Sequence, residues 1–99
     1  MAKYQVQVEK EIKDLIPGFM ANRKKDLVSI QNYIDAANFE EISKIAHKIK
    51  GSSGGYGFHE LSKVGAQMEE AAKKKDLDTI KTLFPSMKEM VESVDIQFI

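Results

Sequence analysis

The sequence lacks cysteine, an excess of either charge and any long apolar run, and each absence excludes a class of protein. Without cysteine there is no disulfide framework, no thiolate zinc site and no cysteine nucleophile. Fifteen basic residues balance fifteen acidic ones, which argues against a nucleic-acid-binding protein driven by overall charge. No run approaches the ~20 apolar residues that a membrane span needs. We therefore expect a cytoplasmic protein that neither contacts a membrane nor holds a metal or other cofactor.

The length is sufficient for one domain with a single core. We predict one domain over residues 1–99, with a core bundle over about 17–95. The helices look complete at both ends, which slightly favours a stand-alone protein over a domain cut from a larger kinase. We also expect a monomer.

Helical periodicity predicts four amphipathic helices. The first begins near Pro17, which suits a first turn, and residues 23–26 (Arg-Lys-Lys-Asp) are predicted to face solvent. Asn38 is predicted to cap the second helix, with Glu41 reaching back as a capping box. Asp76 is predicted to cap the fourth helix. The apolar positions assigned to these helices are Phe19, Met20, Leu27, Ile30, Ile34, Ala37, Phe39, Ile42, Ile45, Ile49, Phe58, Leu61, Val64, Gly65, Met68, Ala71, Ala72, Leu77, Ile80, Leu83, Phe84, Met87, Val91 and Val94.

Residues 3–9 differ from the rest because polar and apolar side chains alternate there, a period typical of a strand. No second strand is evident to pair with this segment, so we predict an extended strap over the helices. A short helix is expected over residues 9–16, with Ile12, Leu15 and Ile16 on one face. Because short turns favour antiparallel neighbours, the predicted fold is all-α: an antiparallel up-and-down four-helix bundle with a short N-terminal helix or extended strap.

His47 is the most conspicuous polar residue of the second helix. At about 100° per residue, its side chain lies opposite the apolar stripe that contains Ile42, Ile45 and Ile49. Lys44 and Lys50 lie three residues before and after it, where both can reach a charge placed on the ring. The sequence therefore predicts an exposed imidazole on a basic face. A solvated basic face without a chemical role is the plain alternative.

The glycine-rich run that follows His47 has two interpretations. Either the helix ends at Lys50 and residues 51–57 form a loop, or the helix continues and its small residues let another molecule approach. Glycine costs about 1 kcal/mol relative to alanine inside a helix, so a purely structural helix has no need of it. We favour the helical interpretation. A phosphate-binding loop is excluded because the run is not Gly-x-x-x-x-Gly-Lys-Ser/Thr.

An ordered set of residues across the second and third helices resembles the histidine phosphotransfer (HPt) domain. The set is Ala46-His47-x-x-Lys50-Gly51-Ser52-Ser53, then Tyr56-Gly57-Phe58, Leu61 and Met68-Glu69, and the likeness extends from Pro17 through Val94. The resemblance implies a four-helix bundle that carries phosphate on a histidine. Its implied partners are response-regulator receiver domains, which bear the exchanging aspartate, and a sensor histidine kinase.

The resemblance also implies roles for individual residues. Carried over by position, His47 would be the phosphoacceptor, normally at Nε2, Lys50 would support the phosphoryl group, and Gly51 would leave room for docking. The predicted binding face is completed by Lys44, Lys48, Ser43 and Gly54. Such a domain is a carrier without independent catalytic activity, because magnesium and the acidic cluster belong to the receiver.

The residues alone allow two other functions. A helical protein-interaction module could bind through the same face whatever its phosphorylation state. An independent enzyme has little support, since the sequence shows no acid–base pair, metal cluster or nucleotide loop. A metal held by His47 and His59 is disfavoured because two further ligands would be needed.

Overall fold

The structure, a computed structural model, describes residues 4–99 and is mostly helical. Four helices confirm the prediction of a helical bundle. In chain order the elements are strand β1 (Tyr4–Val8), a 3-10 helix (Lys10–Leu15), helices α1 (Ile16–Asp35), α2 (Phe39–Gly55), α3 (His59–Lys73) and α4 (Leu77–Glu92), and strand β2 (Val94–Phe98).

The helix boundaries follow from caps and turns. Asn38 accepts a hydrogen bond from the Glu41 N–H at 3.4 Å, and Asp76 accepts one from the Thr79 N–H at 3.1 Å. The predicted capping box forms in one direction only, because the Asn38 N–H donates to the Tyr33 carbonyl. Gly57 lies in the middle of the α2–α3 connection with φ at +90°, a conformation that glycine adopts without steric cost.

The apolar stripes of the four helices meet in one core. Each helix contributes at least one side chain that is fully buried: Ile30, Ile42, Ile49, Met68, Ile80 and Met87. Helix α1 packs against α2 and α4, and α3 packs against the same two helices, so the four close around the core. Ala37, predicted as a core residue, is exposed because it lies in the α1–α2 turn with φ at +50°.

Arg23 and Asp26 of α1 are buried, so the prediction that they face solvent was wrong. The Arg23 Nε donates to Asp26 Oδ2 at 2.8 Å, and its Nη1 donates to the Ser52 hydroxyl of α2 at 2.6 Å. The Lys48 ammonium lies 3.0 Å from the other Asp26 oxygen. Burial of these charges is tolerated because each is paired and hydrogen-bonded.

The strap predicted over residues 3–9 has a pairing partner in the part that the structure describes, contrary to the expectation that no second strand is present; Lys3 lies outside the described residues. Strand β1 pairs in parallel with β2, in the register Tyr4↔Val94 through Val8↔Phe98, so Val94 belongs to a strand and not to the last helix. Val8 is only 1% exposed and joins the core. The short helix after β1 is a 3-10 helix that leaves Leu15 exposed, contrary to the predicted apolar face.

Candidate functional site

His47 lies in the middle of α2 with its side chain 69% exposed. The helix continues through Gly51 and Gly54 to Gly55, which confirms the helical interpretation of the glycine-rich run. The imidazole therefore projects from a regular helix and not from a loop. A reacting group on such an element has few ways to move relative to an approaching partner.

One ring nitrogen of His47 is engaged in a hydrogen bond. Its Nδ1 lies 3.0 Å from Oε2 of Glu69, which reaches across from α3. A carboxylate accepts hydrogen bonds and has none to donate, so the contact assigns the ring proton to Nδ1. In the neutral ring the lone pair then lies on Nε2. Nε2 is therefore the ring nitrogen that is chemically able to act as a nucleophile.

Glu69 is itself held by two lysines. Its side chain is 12% exposed, Lys73 Nζ lies 3.3 Å from Oε2, and Lys50 Nζ lies 3.8 Å from Oε1. Burial raises the pKa of Glu69, but the hydrogen bond and positive charge of Lys73, together with His47, outweigh burial. The pKa of Glu69 is therefore below its ordinary value of 4.5, and the residue is a carboxylate at neutral pH.

The other predicted lysines point elsewhere. Lys44 Nζ lies 3.6 Å from Glu40 and 3.5 Å from Glu41, both on its own helix. Lys48 is paired with buried Asp26 of α1. Of the three lysines predicted to bind, only Lys50 shares a partner with His47.

The small residues of the predicted face also divide into two groups. Nothing lies within 4 Å of where a Gly51 side chain would begin, so this position is open to an approaching molecule. A side chain at Gly54 would instead begin 3.5 Å from the Ser62 hydroxyl oxygen of α3. Gly54 therefore lies beside α3 and is less open to an approaching molecule than Gly51. Ser43 is partly buried.

Glu69 is part of the set that resembles the HPt domain but was not among the predicted site residues. A usable signal was present, because at about 100° per residue Glu69 falls roughly 40° from Gly65, at the edge of the apolar stripe of α3. A carboxylate among Gly65, Met68 and Ala72 requires a polar partner. Identifying that partner as His47 requires knowing how α3 is rotated against α2.

Two further features of residues 4–99 bear on function. No group of three or more His, Asp or Glu side chains in this range could hold a metal ion. None of the helices formed by these residues is long and apolar enough to cross a membrane.

The family model described as "Hpt domain" matches residues 14–97, which is most of the described chain. Comparison with curated proteins and with solved structures gives no match. The matched range includes all of α1, α2, α3 and α4, and it contains both His47 and Glu69. The chain belongs to the Hpt domain family, whose members are phosphotransfer modules of two-component systems.

Proposed function

We propose that His47 is the phosphoacceptor of a phosphorelay, and that it exchanges a phosphoryl group with an aspartate of a response-regulator receiver domain. A sensor histidine kinase is the other expected partner. The observation that carries the proposal is the difference between the two ring nitrogens of His47: Nδ1 is hydrogen-bonded to Glu69, while the side chain is otherwise largely exposed. An accessible nitrogen with an available lone pair is the requirement for attack on phosphorus.

The proposed step is an in-line displacement. The Nε2 lone pair forms a bond to the phosphorus of an aspartyl phosphate as the bond from phosphorus to the aspartate oxygen breaks, which leaves a free carboxylate. The ring retains its Nδ1 proton and gains positive charge when Nε2 shares its lone pair. Glu69, 3.0 Å from Nδ1, stabilises that charge.

Lys50 and Lys73 are proposed to support the transferred group. Both ammonium groups lie within 4 Å of Glu69, the carboxylate that binds the imidazole. A phosphoryl group brings a charge near −2, which exposed ammonium groups can approach by rotation of their flexible side chains. Lys44, Lys48, Ser43 and Gly54 were also predicted to bind, but their contacts give them no comparable part.

We infer that the domain is a carrier without independent catalytic activity. Its contribution is a nucleophile at a fixed position and, at Gly51, an open surface for docking. The receiver is expected to supply the metal ion and the acidic residues. We further propose that the protein is a cytoplasmic monomer. Its helices are proposed to run up and down, because the connections between them, residues 36–38, 56–58 and 74–76, are short.

Incubation with receiver domains carrying labelled aspartyl phosphate tests the proposal. Wild-type protein is expected to acquire a label that acid removes and alkali preserves, and His47→Gln is expected to acquire none. The chain has one other histidine, the exposed His59 at the start of α3, which provides a matched control. His59→Gln should be labelled like wild type.

Two results would contradict the proposal. One is the absence of label from wild-type protein with a panel of receivers and sensor kinases, and the other is label that survives in His47→Gln. Partner binding and signalling retained in His47→Ala would instead favour the phosphorylation-independent interaction module.

A further inference from the structure

Three residues of α3, Ser62, Gly65 and Glu69, lie against the part of α2 that carries His47. Ser62 donates a hydrogen bond from its hydroxyl to the Lys50 carbonyl at 2.7 Å. Glu69, seven residues later, binds His47 Nδ1. Gly65 lies between them, and the spacings of three and four residues place all three on one face of α3.

The backbones of the two helices approach each other closely at Gly65. A side chain at this position would begin 3.0 Å from the Lys50 backbone nitrogen, 3.1 Å from the Ala46 carbonyl oxygen and 3.3 Å from the Lys50 Cα. All three are backbone atoms of α2, so no flexible side chain can move aside. Even a single methyl group therefore requires the two helices to separate by a few tenths of an ångström.

The consequence of such a separation falls on His47. Ala46 and Lys50 flank His47 on α2, and Glu69 is one helical turn beyond Gly65 on α3. The hydrogen bond between His47 and Glu69 therefore crosses between α2 and α3 close to the point where Gly65 determines the separation of the two backbones. A separation at Gly65 lengthens that bond, because both of its side chains extend from the backbone segments that move apart.

We propose that Gly65 is a positioning residue for the phosphotransfer site: the absence of a side chain brings α3 close enough to α2 for Glu69 to hold the proton on His47 Nδ1. The inference rests on the proposed function of His47 for its biological meaning. Its structural part, control of the ring tautomer, can be measured without any phosphotransfer.

Nitrogen NMR of the His47 ring, at a pH where the ring is neutral, tests the structural part directly. Wild-type protein should carry its proton on Nδ1. Gly65→Ala should move a measurable share of the proton to Nε2, and Glu69→Ala should do the same. Gly55→Ala is the matched control, because it adds the same methyl group to α2 in open space and should leave the tautomer unchanged.

A double-substitution experiment tests the functional part. We expect Gly65→Ala to slow phosphotransfer to His47 roughly tenfold through misplacement of the carboxylate. In a Glu69→Ala background, Gly65→Ala should add little further loss, because the interaction through which it acts is already absent. Ile80→Val, a core truncation on α4, provides a destabilised control. It should leave the His47 proton on Nδ1, and the effects of Gly65→Ala and Glu69→Ala on phosphotransfer should remain non-additive in its presence.

Each outcome decides the inference. An unchanged tautomer in folded Gly65→Ala, or an equal slowing with and without Glu69, would overturn it. Should Gly65→Ala fail to fold, Ser62→Ala removes the neighbouring contact and is expected to give a smaller shift of the proton toward Nε2, and no shift would be decisive against the inference. Failure of the proposed function would show differently, as absence of label on wild-type His47 despite the expected tautomer.

Discussion

Glu69 shows how the charge of one residue depends on its neighbours. Burial alone favours the neutral carboxylic acid, which would compete to donate a hydrogen bond instead of accepting one from His47. The hydrogen bond and positive charge of Lys73, together with His47, reverse this preference. Lys73 thereby keeps Glu69 in the form that accepts a hydrogen bond from His47 Nδ1.

The lowered pKa of Glu69 predicts a dependence of stability on pH. In the unfolded chain Glu69 binds a proton near its ordinary pKa of 4.5, whereas in the folded protein it binds one only at lower pH. Its contribution to stability is therefore fully present above the unfolded value and is lost as pH falls through the folded value. Chemical denaturation of wild type and Glu69→Gln between pH 7 and pH 3 measures this. The two stabilities should converge toward acid, and parallel pH profiles would contradict the assignment.

The outward direction of His47 could be predicted from the sequence because it depends on one helix alone. The spacing of Ile42, Ile45 and Ile49 fixes the buried side of α2, and the opposite side follows from helical geometry. The contact with Glu69 could not be predicted in this way. It depends on the distance and rotation between two helices, which no pattern within either helix determines.

At the level of elements, a buried charge network joins α1 to α2. Asp26 lies between Arg23 and Lys48, and Arg23 continues the network to Ser52. Lys48 follows His47 directly in the chain. The network therefore fixes α1 against the part of α2 that bears the candidate site.

Removal of the central carboxylate should be costly. Asp26→Ala leaves the buried Arg23 guanidinium without its ion pair, and the expected loss of unfolding free energy is about 3–5 kcal/mol. Asp35→Ala is a matched control on the same helix, because Asp35 is exposed and its carboxylate accepts a hydrogen bond from the Gln31 amide, also exposed. The control should change stability by no more than about 0.5 kcal/mol. Equal losses measured by urea denaturation would show that the network is not a stabilising link.

The same network explains why residues 23–26 were predicted to be exposed. Four consecutive charged residues ordinarily mark a solvated face. Here the apolar stripe of α1 is interrupted by a pair of opposite charges three residues apart, which satisfy each other at 2.8 Å. Charge type alone does not distinguish a solvated pair from a buried one, since the distinction depends on Ser52 and Lys48 of another helix.

At the level of the whole molecule, β1 and β2 bring the first and last segments of the described chain side by side. The Lys10 N–H donates to the Ile99 carbonyl, and the Ile99 N–H donates to the Val8 carbonyl. A pair of strands is marginal by itself, so this one depends on burial of Val8 in the helical core. Each strand is therefore stable only when the other strand and the core are in place.

This dependence can be tested with a single truncation. Val8→Ala is expected to lower the unfolding free energy by about 2 kcal/mol. The Lys10 and Ile99 amides should lose hydrogen-exchange protection together, because their hydrogen bonds join the two chain segments directly beyond the paired strands. Val28→Ala removes the same atoms from a side chain that is 65% exposed and should leave stability and protection nearly unchanged. Loss of protection at only one of the two amides would contradict the coupling.

The helices of the bundle could be predicted from the sequence, whereas the strand pair could not. Helical stripes are local, and Asn38 and Asp76 identify two helix starts by residue type. The pairing of β1 with β2 joins residues about ninety positions apart. Val94 also continues the apolar spacing of α4, so only its cross-strand partner Tyr4 distinguishes a strand from a further helical turn.

Because β1 and β2 run in the same direction, the described chain enters the strand pair beside Val94 and leaves it beyond Phe98, at the opposite end. Tension applied between Tyr4 and Ile99 would therefore slide the strands along each other. In that geometry the backbone bonds of the pair share the load, whereas antiparallel ends would peel apart one bond at a time. The strand pair should therefore resist force applied at these two residues better than an antiparallel pair of the same length.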